Sequence, residues 1–237
     1  MTTTKRKWLL VGLALIGGIA LWIMYAPNQG AKWESYITAG QQAYQQADYA
    51  EAEKPFEAAL KEAEAFGPDE VRLATSLNEL GLVYDAQGRY AEAEPLYQRS
   101  MAIWEKALGP DHPDVGQSLN YLGLLYFGQG RYAEAEPLYQ RALAIWEKVL
   151  GPEHPDVAYS LNNLAILYQV QGRYEEAETH FVWALAIRED ALGLDHPSVA
   201  ASLEDYAALL RQTGRATEAT EMEARAKAIR AKRAQDN

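Results

Sequence analysis

The sequence predicts an all-α protein: a right-handed superhelical solenoid of five helix-turn-helix repeats, preceded by one transmembrane helix. Three observations predict it. A phrase beginning Gly-Arg-Tyr-Ala-Glu-Ala-Glu-Pro at Gly88 returns 42 residues later at Gly130. Inside each copy, apolar residues fall at helical spacing in two separate segments. Ahead of the copies lies an uncharged apolar run of 18 residues, introduced by positive charge.

That first run is Trp8 to Tyr25, WLLVGLALIGGIALWIMY, and Lys5, Arg6 and Lys7 precede it. At about 1.5 Å per residue, a helix of this length reaches roughly 27 Å, close to the hydrocarbon thickness of a bilayer. Trp8, Trp22 and Tyr25 stand near its ends, where amphipathic rings favour the membrane boundary. A cleavage after Ala26 requires a small residue where Met24 stands, so an uncleaved anchor is favoured over a removable signal. The expected organisation is a cytoplasmic basic segment over 1–7, a signal-anchor helix over 8–26 and a linker over 27–32. Basic flanks stay inside, which sends the rest across the cell membrane, into the periplasm of a Gram-negative cell.

Repeats are expected over 33–232, with a disordered tail over 233–237. Gly-Arg-Tyr recurs at Gly88, Gly130 and Gly172 and decays to Gly-Arg-Ala at Gly214. Ser-Leu-Asn keeps step at Ser76, Ser118 and Ser160, then becomes Ser-Leu-Glu at Ser202. An earlier copy is visible in Ala47 to Glu53. Leu119, Leu122 and Tyr126 mark a first helix, and Tyr132, Ala135, Tyr139, Ala142 and Ile145 mark a second. Gly130 ends the first helix, since glycine adopts positive φ without a steric penalty. Gly151-Pro152 ends the second, and Pro155 opens the next, where a missing N–H is harmless. One hairpin leaves its oily face bare, but stacked neighbours cover it.

Composition narrows the function. A formal charge of -11 argues against a nucleic-acid surface and makes any charged partner basic. With no cysteine there is no disulfide, thiolate metal site or Cys nucleophile, and no phosphate loop, HExxH pair or GxSxG elbow occurs. No catalytic residue, cofactor site or metal site is assigned. His112, His154 and His196 recur with the period, but copies one hairpin apart stand about 10 Å from each other, too far to share a metal, so they read as helix caps. Glu92 with Glu94, Glu134 with Glu136, and Glu175 with Glu176 open helices, where the dipole favours carboxylates. Trp104 and Trp146, at one repeat position, read as core between hairpins.

Leu122-Gly123, Tyr126, Gly130, Tyr132, Ala135, Tyr139 and Ala142 resemble the tetratricopeptide repeat. The 42-residue period and the connector Gly-Pro-x-His-Pro-Asp-Val at Gly109 and Gly151 resemble the variant found in kinesin light chains. The last copy departs from the pattern, with Glu223 in place of an aromatic residue and Ala216 in place of tyrosine, which suits a solvated end. The resemblance implies a concave groove, lined by the first helix of each hairpin, that takes an extended peptide or a partner helix. On that basis Asn78, Asn120 and Asn162 project inward, either to hold a guest backbone or to fasten neighbouring hairpins.

Two adjacent copies, Gly88 to Gln129 and Gly130 to Gln171, differ at 11 of 42 positions, and seven of these lie between 116 and 128. Gln117 becomes Tyr159, Leu124 becomes Ile166, Phe127 becomes Gln169 and Gly128 becomes Val170, all on one helical face. These positions are the expected source of partner specificity. The expected function is a membrane-anchored, non-catalytic scaffold for an envelope protein or peptide, with no nucleic acid and no small-molecule substrate. The alternative is a structural protein that associates with itself and leaves the groove unused.

Overall fold

The computed structural model describes residues 30–236, which form two compact units meeting in sequence at Arg89 and Tyr90. In the first unit are α1 (30–45), α2 (Tyr49–Glu64) and α3 (Val71–Ala86). In the second are α4 (Tyr90–Leu108), α5 (Pro113–Gly128), α6 (Tyr132–Leu150), α7 (Pro155–Val170), α8 (Tyr174–Leu192), α9 (Pro197–Gln212) and α10 (Ala216–Asp236). The described chain is thus all-α, ten helices laid down as hairpins at the sequence period.

One part of the expected architecture is corrected. Among the described residues no helix is long and apolar enough to cross a membrane. The segment 8–26 lies outside the described residues, so the fold preceded by a transmembrane helix, and the single-pass membrane localisation built on it, are set aside. Most of the described helices turn small and aromatic residues inward and charge outward, while α8 buries Arg188 and exposes Val182 and Trp183. At the edges, α1 is already helical at residue 30, within the stretch read as linker, and α10 runs to Asp236. Its Ala, Lys and Arg residues lose little freedom in a helix.

In the first unit, α2 starts where Asp48 accepts a hydrogen bond from the Glu51 backbone N–H at 3.1 Å. It buries Ala52, Phe56, Ala59 and Ala63, and α3 buries Leu73, Ala74 and Leu77. Trp33 Nε1 ties α1 to α3 by donating to Ser76 Oγ at 2.8 Å.

The second unit repeats its joints. His112, His154 and His196 cap α5, α7 and α9, each Nδ1 accepting from the backbone N–H two residues on at 3.3, 3.2 and 3.2 Å. This is the capping role the sequence assigned them, and Pro113, Pro155 and Pro197 follow at the first turn. At the far end of α5, Gly130 has φ +74 and lets Arg131 N–H reach back to the Tyr126 carbonyl at 2.8 Å. The hairpins α5/α6, α7/α8 and α9/α10 bury Tyr139, Phe181 and Leu119, Leu161 and Leu203 completely or nearly so. Trp146 is 4% exposed and donates from Nε1 to the Pro113 carbonyl at 3.1 Å, a core role as expected.

Candidate functional site

In the second unit α5, α7 and α9 are successive first helices, and α5 touches α7 as α7 touches α9. On each of them most leucines are buried while another stripe stays accessible. On α5 that stripe carries Gln117, exposed, with Leu124 and Phe127 half-buried. On α7 it carries Tyr159, 36% exposed, with Ile166 and Gln169 half-buried. The variable positions on these helices are thus exposed or half-buried.

They are not free of internal contacts. Phe127 packs on Tyr132 with ring centres 5.4 Å apart. Gln117 donates to the Tyr121 hydroxyl at 3.0 Å, and Gln169 donates to Gln212 on α9 at 3.0 Å.

The asparagines lie beneath this stripe. Asn120 is fully buried and donates to Ser160 Oγ at 2.9 Å and to the Gly116 carbonyl at 3.2 Å. Its carbonyl oxygen accepts from Asn163 Nδ2 at 3.2 Å. Asn162, 6% exposed, donates to Asp205 at 2.9 Å and accepts from Arg188 at 3.5 Å. Both thus bond across from one first helix to the next, so the capacity of the amide is spent on the joint. Asn78, in the first unit, is 6% exposed on α3.

Between α5 and α7 a cleft of 290 Å³ opens. Asp114, Gln117 and Tyr121 line it from α5, Asp156 and Tyr159 from α7, with Asn120 and the Trp146 edge at the floor. Asp114 and Asp156 each stand two residues after the histidine that caps their helix, with a carboxylate oxygen 3.3 and 3.5 Å from its Nδ1. Burial pushes the Tyr159 hydroxyl up from its ordinary value, and Asn163 and Arg188 pull against it. Deeper in, burial pushes Asp205 up and Arg188 down, each partly offset by the other's charge. Two carboxylates beside the rings of Tyr121 and Tyr159 offer acceptors and aromatic surface to a guest group. Among the described residues no cluster of histidines and carboxylates is arranged to hold a metal ion.

Sequence reasoning named Gln117, Asn120 and Tyr159 but missed Tyr121, Asp114 and Asp156. Tyr121 carried a signal, since it becomes Asn163 in the next copy and belongs to the same cluster of differences. The two aspartates gave none, because an unchanging connector residue reads as a cap.

Known proteins place the chain. The tetratricopeptide repeat model matches residues 34–106, 72–143, 114–190 and 160–232. No curated protein matches the sequence. Among solved structures, the putative kinesin light chain with nearly identical TPR-like repeats from Podosopora anserina is 30% identical, covering 84% of this chain and 95% of that one, with TM-score 0.67. BtubC (BKLC) from P. vanneervenii shares the fold at 23% identity and TM-score 0.75, covering 98% and 92%. A Rap protein complexed with Competence and Sporulation Factor shares it at 17% identity and TM-score 0.71, covering 84% and 54%. The recurring hairpins, their Gly and His joints and these matches together make the chain a member of the tetratricopeptide repeat family, with kinesin-light-chain-like repeats.

Proposed function

We propose that the chain is a non-catalytic protein-interaction scaffold, and that the stripe on α5, α7 and α9 receives an extended partner segment bearing a basic side chain. The observation that carries this reading is the cleft between α5 and α7, where Asp114 and Asp156 flank Tyr121, Tyr159 and Trp146. A guest Lys or Arg entering it gains the rings of Tyr121 and Tyr159 beside it and charge-assisted hydrogen bonds from the two carboxylates. Leu124, Phe127, Ile166 and Gln169, further along the same helices, then select the neighbouring residues of the guest. Asn120 and Asn162 set the spacing of the helices and act on the guest only through it. The family's protein-binding habit supports the reading, as does the Rap protein solved with its Competence and Sporulation Factor.

An array of random 12-residue peptides probed with the full chain tests the proposal. Bound peptides are expected to share a Lys or Arg at one position, and Asp114→Asn with Asp156→Asn is expected to weaken their binding while the helical circular dichroism stays unchanged. Binding indifferent to peptide charge, or unaffected by the two substitutions, refutes it.

A further inference from the structure

The outer, second helices of the second unit are joined by a charge ladder that keeps the repeat period. Arg141 on α6 donates to Glu105 on α4 at 2.6 Å, and Arg225 on α10 pairs with Glu189 on α8. A second rung runs beside it, with Lys148 on Asp111 at 2.5 Å and Lys232 on Asp195. By the same 42-residue register, the rungs between α6 and α8 fall at Glu147 with position 183, and at Glu153 with position 190. There the cations are gone. Position 183 is Trp183, 43% exposed, and position 190 is Asp190.

This one junction therefore shows three carboxylates, Glu147, Glu153 and Asp190, none of which forms an ion pair among the described residues. Trp183 and Asp190 lie seven residues apart on one exposed face of α8, two turns along. A part-exposed indole at the position where its counterparts are guanidinium groups, in register with carboxylates that form no ion pair, is complementary to the group that is missing.

We propose that this junction is a second docking surface, for a partner segment that supplies arginine. One guest guanidinium lies on the Trp183 ring and pairs with Glu147, as Arg141 and Arg225 pair with their glutamates. A second basic side chain bridges Glu153 and Asp190. Indole is the strongest of the aromatic faces for a cation, and the planar guanidinium suits both ring and carboxylate. None of Trp183, Glu147, Glu153 and Asp190 lines the cleft on α5 and α7.

The test uses the full chain carrying Asp156→Asn and Tyr159→Ala, which disable the cleft, and reads fluorescence anisotropy of labelled (Arg-Ala)6 against (Glu-Ala)6. The arginine peptide is expected to bind at least tenfold tighter. Trp183→Arg with Asp190→Lys, which completes the ladder from within, is expected to remove the difference. The surface changes Trp183→Gln and Asp190→Asn, each alone, are expected to give partial losses. Because the cleft is disabled throughout, failure here leaves the cleft reading standing, and the reverse holds. No preference for the arginine peptide, or a preference that survives the ladder swap, overturns the proposal. So does sedimentation showing that the swap dissociates an oligomer of the chain alone, since the occupant is then a second copy.

Discussion

Asn120 and Ser160, 40 residues apart in sequence, share a buried hydrogen bond in which Nδ2 donates to the serine Oγ at 2.9 Å. It joins α5 to α7 beneath the accessible stripe, and Asn163 adds a second bond to the same amide. Asn120→Ala leaves Ser160 and Asn163 short of partners inside the protein. The expected loss is about 1–3 kcal/mol, the cost of unsatisfied buried groups, measured by urea unfolding. In a Ser160→Ala background the loss should shrink, and full additivity in that cycle would show that the two side chains act separately.

Gly116 tests packing rather than polarity. A methyl group placed there meets Trp146 Nε1 at 2.7 Å, while the indole is held by its bond to the Pro113 carbonyl. Gly116→Ala is expected to destabilise by about 1–3 kcal/mol through overpacking. The next copy carries Ala158, and position 188 there is Arg rather than Trp, so the chain itself changes both together. In a Trp146→Phe background the penalty of Gly116→Ala should fall by at least about 0.5 kcal/mol, a coupling typical of residues in contact.

The pH response of Asp205 has a definite sign. Burial raises its pKa, the Asn162 amide and Arg188 only partly offset this, and the ionised form is therefore disfavoured by folding. Stability from this group is fully present below its unfolded value and is lost as pH rises through its folded one. Relative to Asp205→Asn, the native chain should gain stability as pH falls from 7 towards 4. Thermal unfolding of both proteins across that range decides it, and parallel curves would contradict the burial of this carboxyl.

Arg173 responds in the opposite direction. It stacks on Tyr168 at 3.9 Å and pairs with Glu136 at 2.9 Å and Glu176 at 2.6 Å. Its hydrogen bond, more than its charge, holds Glu176 below the ordinary range for a glutamic acid. That contribution is present above the unfolded value of Glu176 and lost as pH falls through the folded one. Arg173→Lys keeps the charge but loses the planar fork. It is expected to lower the melting midpoint at pH 7 and to flatten the acid-side decline, and an unchanged profile would remove the fork from the account.

How much was legible can be traced residue by residue. Gly130, Pro155 and His154 announced helix ends because each restricts or caps the backbone locally, with no need for a neighbour. Tyr139 and Phe181 announced the core because their spacing repeats. Tyr159 and Gln117 were found because difference between otherwise identical copies exposes a surface free to vary. Asp114 and Asp156 were hidden, since a connector aspartate looks the same whether it only opens a helix or also walls a cleft.

The sequence by itself determined the period, the hairpins and their joints, all of which depend on backbone preferences and on oily residues a few positions apart. Only the tertiary structure decided that Asn120 bonds Ser160, that two aspartates converge on one cleft, and that Trp183 stands in a gap of the charge ladder. Those relationships join residues about 40 positions apart, and their energies depend on distance and burial, which exist only once the helices have packed.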